Sequence, residues 1–127
     1  MVRVLCIGNR FAYPDDFGIV IYEELLKLSL EGVEIVEGGV GGMSLAPYFE
    51  DDAKILIIDY GSKTMPKIIN HKDIATLDID EYNHATSFLY LLKTLKKKYT
   101  IYLCTTEYKQ EELQDYVEEI VALIKEL

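Results

Sequence analysis

Asp15 and Asp16 lie in a polar loop, Asp59 closes an apolar run, and His84 opens a helical pattern. Two carboxylates and one imidazole suit a borderline divalent ion such as nickel or zinc. Each group also has a plainer use. Asp15 and Asp16 favour a helix N-terminus, Asp59 caps a turn, and His84 is a solvated first-turn residue. They stand out as a set because the flanking pattern brings all of them to one edge of a sheet. A second feature is the run Glu37-Gly38-Gly39-Val40-Gly41-Gly42-Met43. Gly38, Gly39, Gly41 and Gly42 cost conformational entropy, but they permit positive φ and close approach of another backbone. The loop is therefore either a cleft wall for an extended peptide or a tight strand-to-helix crossover.

The elements that would position these residues alternate in type. Residues 2–7 read as a buried strand ending at Gly8, and 9–16 as a turn-rich loop with Pro14. A helix is expected over 17–30, with Ile21, Leu25 and Leu28 at helical spacing and Gly32 as its stop. Strands follow over 33–36 and 54–58, with a short helix over 43–49 beginning near Ser44. The 54–58 run is apolar on both faces, as a central parallel strand requires. Residues 60–83 are hard to read, with 67–69 an additional strand. Asn83 can cap a helix over 84–97, a strand follows over 99–104, and a terminal helix covers 111–127. Alternating strands and helices imply an α/β fold, a three-layer α/β/α arrangement with a mainly parallel central sheet. Residues 1–127 are expected to form a single domain. In such a sheet the loops at the carboxyl ends of the strands, here 8–16, 37–42, 59–63 and 104–108, hold the ligand.

Several chemistries are disfavoured. The first loop has neither GxGxxG nor GxxxxGK[ST], and Asp15 and Asp16 stand where a phosphate would approach, so no nucleotide cofactor is expected. GxSxG and HExxH are absent, and no Cys/His pair is brought together by the pattern. Cys6 and Cys104 sit inside apolar runs and read as reduced core residues, and His71 reads as a surface residue. The chain has 13 basic and 22 acidic residues, a formal net charge of -9. Nucleic-acid binding is accordingly not expected. Lys96-Lys97-Lys98, the only basic run, falls at a helix end and complements its dipole. The apolar runs are far shorter than the roughly 20 residues needed to cross a bilayer. The N-terminus has no signal-peptide pattern, so a soluble cytoplasmic protein with no membrane partner is expected.

Four blocks resemble the hydrogenase maturation endopeptidases, which process the large subunit of nickel–iron hydrogenases. Val4-Leu5-Cys6-Ile7-Gly8-Asn9 followed by Pro14-Asp15-Asp16-Phe17-Gly18 is similar to that family's opening strand and acidic loop. Glu37 to Met43 is similar to its glycine-rich loop, usually D-G-G-T-x-G. Ile55-Leu56-Ile57-Ile58-Asp59 resembles its central strand with terminal Asp. His84, followed by Phe88, Leu89, Leu91 and Leu92, resembles its histidine-led helix. Departures are visible too, and the chain is shorter than usual members, chiefly between Asp59 and His84 and after Cys104. Asp15-Asp16-Phe17-Gly18 stands where the family runs D-D-G-x-G, and Thr105-Thr106-Glu107-Tyr108 replaces a G-x-x-P-like segment.

The resemblance implies that Asp15, Asp59 and His84 are the metal-binding and catalytic residues. An ungapped register selects Asp15 and a gapped one Asp16. It implies an endopeptidase that recognises Ni2+ already placed in the large-subunit precursor and then removes a C-terminal extension. Gly38, Gly39, Gly41 and Gly42 would let the precursor tail lie close to the backbone. A non-catalytic assembly chaperone on the same fold is the alternative.

Overall fold

The computed structural model describes residues 1–41, 43–61, 63, 65–76, 91–95 and 97–127. Five strands, β1 (Val2–Cys6), β2 (Val33–Glu37), β3 (Lys54–Tyr60), β4 (Ile68–Asn70) and β5 (Tyr99–Cys104), form one sheet in the order β2-β1-β3-β5-β4. The first four in that order are mutually parallel, and β4 pairs antiparallel with β5. This is the mostly parallel α/β sheet read from the alternation of elements. The apolar run of β3 lies between two neighbours and is buried on both faces, which is why it is apolar on both faces.

Strand alternation divides the core in two. Val4, Cys6, Leu56 and Ile58 face helices α1 (Phe17–Leu26) and α2 (Leu113–Glu126), whose Phe17, Ile21, Leu25, Val117 and Ile120 cover them. Leu5, Ile7, Ile55 and Ile57 face the opposite layer, built from the 3-10 turns Met43–Phe49 and His71–Thr76 and from helical residues 91–94. At the amino end of the strands, Arg3 is buried and forks onto Asp51 with bonds of 2.9 and 2.7 Å. Its other contacts are the Tyr48 carbonyl at 2.6 Å and the Glu34 carboxylate.

Five expectations are corrected in detail. Helix α1 stops at Leu26 rather than at residue 30. Lys27 and Leu28 donate to Glu24 and Leu25, tightening the last turn, and Ser29 turns to φ 47°. The segment over 43–49 is a 3-10 helix containing Pro47, and α2 begins at Leu113 after a 3-10 turn over Gln110–Glu112. The helical stretch expected over 84–97 has its helical end at 94. Lys97 instead reaches the carboxylate of Asp51 at 3.7 Å. His71, expected at the surface, is half-buried with its ring 6.1 Å from that of Tyr99. Cys6 and Cys104 are free and buried, as expected. Among the described residues no helix is long and apolar enough to cross a membrane.

Candidate functional site

β1, β2, β3 and β5 all end at one edge, and the strand order reverses between β1 and β3. In open α/β sheets the crevice at such a reversal is where ligands bind. The loop after β1, the glycine loop after β2 and the end of β3 open there.

Asp59 is the penultimate residue of β3, in register with Leu103 of β5, and is completely buried. Its Oδ1 accepts the Tyr60 N–H at 2.8 Å. Alternation places it on the face of Ile55 and Ile57, the face covered by helical residues 91–94.

The first loop arrives from the other face. Gly18, in the first turn of α1, lies directly on the end of β1, and a Cβ there would stand 2.0 Å from the Ile7 carbonyl oxygen. That approach brings the residues just before α1 to the sheet edge. The Asp15 carbonyl accepts the Asn9 N–H at 3.2 Å. Burial raises the Tyr60 hydroxyl above its ordinary pKa, and surrounding negative groups, Asp15 among them, add to the shift. Asp16 occupies the N-cap of α1 but makes no side-chain capping bond. Its Oδ1 instead accepts the Tyr108 hydroxyl at 2.7 Å. Burial, reinforced by Asp16, holds that hydroxyl well above its usual pKa.

The glycine loop extends the β1–β2 ladder. Gly38 N–H donates to the Cys6 carbonyl and Gly8 N–H to the Gly39 carbonyl, both at 2.8 Å. A Cβ on Gly38 would lie 2.5 Å from Ile7 Cδ1, so that side chain would have to turn aside for any larger residue. Gly39 is needed for conformation, at φ +59° in open surroundings. A groove of about 350 Å³ runs between Asn9 and Phe11 on one side and Gly39 and Val40 on the other. Phe11 is 92% exposed on its rim. Beneath it Arg10 bridges Glu37 at 2.6 Å and Glu23 at 3.3 Å.

Asp15, Asp16, Asp59, Gly38, Gly39 and Gly41 therefore share one edge, with β1 between the glycine loop and Asp59. His84 and Gly42 lie outside the described residues. Among the described residues no group of three His, Cys, Asp or Glu side chains is disposed to hold a metal ion. The residue that sequence reasoning passed over is Tyr108, noted only as part of a departure from a pattern. Its one available signal was a large aromatic residue in a loop at the carboxyl edge.

An α/β sheet with acidic groups at its switch point and a glycine-lined groove beside them makes this an open α/β protein with a candidate ligand crevice at its carboxyl edge. The hydrogenase maturation protease family, HycI, matches residues 19–126, and the chain belongs to that family. No curated protein sequence matches it. Among solved structures it is similar to the hydrogenase maturating endopeptidase HybD from E. coli, at 22% identity and TM-score 0.77, covering 98% of this chain and 92% of that one. An endopeptidase from E. coli solved in solution is 20% identical with TM-score 0.77, covering 99% and 93% of the two chains. A hydrogenase 2 maturation peptidase from a Thaumarchaeota archaeon is 22% identical with TM-score 0.61, covering 98% and 96%. At these identities the structural likeness speaks for the fold. The family match begins at Ile19, just past the acidic loop.

Proposed function

We propose that this protein is an endopeptidase that removes a C-terminal extension from a nickel–iron hydrogenase large-subunit precursor, acting in the cytoplasm after nickel insertion. The observation that carries the reading is that the Asp15 loop leaves β1 and Asp59 ends β3 at the same edge of the sheet, at the β1–β3 switch point, in a chain of the maturation-protease family. Nickel belongs to the precursor and is treated as part of the substrate. The donor set fits it: two carboxylates from Asp15 and Asp59, with the His84 imidazole as third ligand, suit a borderline divalent ion. Asp15 is the ligand that the ungapped register with the family's acidic loop selects, and the Asp16 carboxylate accepts the Tyr108 hydroxyl.

In this reading Asp15, Asp59 and His84 hold the nickel-bearing end of the precursor at the sheet edge, which fixes the scissile peptide relative to the enzyme. Gly38, Gly39, Gly41 and Gly42 let the tail approach along the adjoining groove. The complete burial of Asp59 supports a ligand held in one geometry. The test is trimming of a nickel-loaded precursor by the wild type, Asp59→Asn and His84→Ala. Asp59→Asn keeps the side-chain shape and an acceptor for Tyr60. Both variants are expected to stay folded and to lose about 100-fold or more in rate, the scale of removing a preorganised electrostatic partner. A wild type that binds the precursor without cutting it would establish the chaperone function instead.

A further inference from the structure

The segment that carries the first-loop carboxylates is held at two points by one residue far along the chain. Tyr13 Oη donates to the Tyr108 carbonyl oxygen at 2.5 Å, and Tyr108 Oη donates to Asp16 Oδ1 at 2.7 Å. Asp15 lies between these two anchors. On its other side the Asp15 carbonyl is fixed by the Asn9 N–H at 3.2 Å and crowds Gly8, where a Cβ would stand 2.6 Å from it. Tyr108 is itself immobilised. It is 6% exposed, and its ring meets those of Tyr13 at 5.0 Å and Phe17 at 5.5 Å, edge to face. Behind it Tyr116 packs on Phe17 at 5.1 Å, and the Cys104 thiol donates to the Thr106 carbonyl at 3.1 Å.

We infer that Tyr108 is a positioning residue, holding residues 13–16 in the conformation that presents Asp15 to the β1–β3 crevice. Ring packing alone does not require the hydroxyl, since a phenylalanine would fill the same space. The hydroxyl is the part that reaches the acidic loop, and a hydrogen bond to a charged acceptor is among the stronger ones available. This role rests on the peptidase reading and assigns Asp16 to the loop's support rather than to the substrate. It also gives a task to the segment Thr105-Thr106-Glu107-Tyr108, which ties the end of β5 to the loop after β1.

The experiment compares wild type, Tyr108→Phe, Asp16→Ala and the double variant on a nickel-loaded precursor, with thermal unfolding and amide hydrogen exchange alongside. Tyr108→Phe keeps the ring and the carbonyl, so only the bond to Asp16 is removed. The expected result is a fall in kcat of about tenfold with KM nearly unchanged, the signature of a displaced reacting group. Exchange should quicken at residues 13–16 while β1 and α1 keep their protection. Asp16→Ala should show a similar loss, and the double variant no further loss, because both remove one interaction. Trimming by Tyr108→Phe at the wild-type rate overturns the positioning role and leaves the peptidase reading standing. A far larger loss in Asp16→Ala than in Tyr108→Phe overturns it too, by making Asp16 a ligand in its own right. A wild type that never trims the precursor overturns the peptidase reading and the positioning role together.

Discussion

Gly18 and Ile7 meet backbone to backbone: a Cβ on Gly18 would lie 2.0 Å from the Ile7 carbonyl oxygen and 2.9 Å from its nitrogen. The atoms it would strike directly follow β1, and the Ile7 N–H is itself bonded to the Ile58 carbonyl of β3 at 2.8 Å, so they yield little. Gly18→Ala must therefore lift the start of α1 from the sheet. A loss of about 3 kcal/mol is expected, at the upper end for overpacking a close contact. Urea unfolding reads it directly, and a midpoint equal to that of the wild type would refute the close approach. The same displacement would carry the acidic loop away from Asp59.

The Arg3 guanidinium, forked onto Asp51 and aided by the Ala53 N–H, holds the Asp51 carboxyl well below the usual carboxylate range. The unfolded chain takes up that proton more readily than the folded one. The pair thus stabilises fully above the ordinary carboxylate pKa of about 4 and is lost progressively as the pH falls below it. Urea midpoints should decline through that acidic range, and Asp51→Asn should flatten part of the decline. Parallel curves for the two proteins would show that the ion pair does not contribute.

Burial raises both thiols above their ordinary pKa, fully for Cys6 and with 1% exposure for Cys104. Thiolate is the reactive form, so a soluble thiol reagent at neutral pH should label neither residue in the native protein and both in denaturant. Rapid native labelling at Cys104 would mean that the loop after β5 opens readily, contrary to its anchoring by Tyr108.

The parts of this fold that were legible in the sequence are those with a repeating physical cause. Ile55 to Ile58 declared a central strand because a strand covered on both faces has no polar side to show. Leu113, Val117, Ile120 and Ile124 declared α2 by their helical spacing. The end of α1 was less legible: Leu28 continues the apolar spacing, yet Ser29 adopts φ 47° and the helix has already closed at Leu26. Asp15, Asp16 and Asp59 fall at the carboxyl edge of the sheet, where the strand pattern placed them. The bond that Asp16 accepts from Tyr108 was not legible, because it spans 92 residues of chain. Tyr108 carries no local mark of that bond. One tyrosine among 10 has no period and no motif.

Among the described residues β2 forms one border of the sheet, with β1 as its only strand neighbour, so one side of its backbone is left unpaired by them. Its residues Glu34 and Glu37 are exposed there, and each is tethered inward, to Arg3 and Arg10. Charged side chains on a border strand discourage a second chain from zipping onto it. The glycine loop leaves this guarded strand directly. Aggregation through that border is thereby opposed while the neighbouring groove stays uncovered.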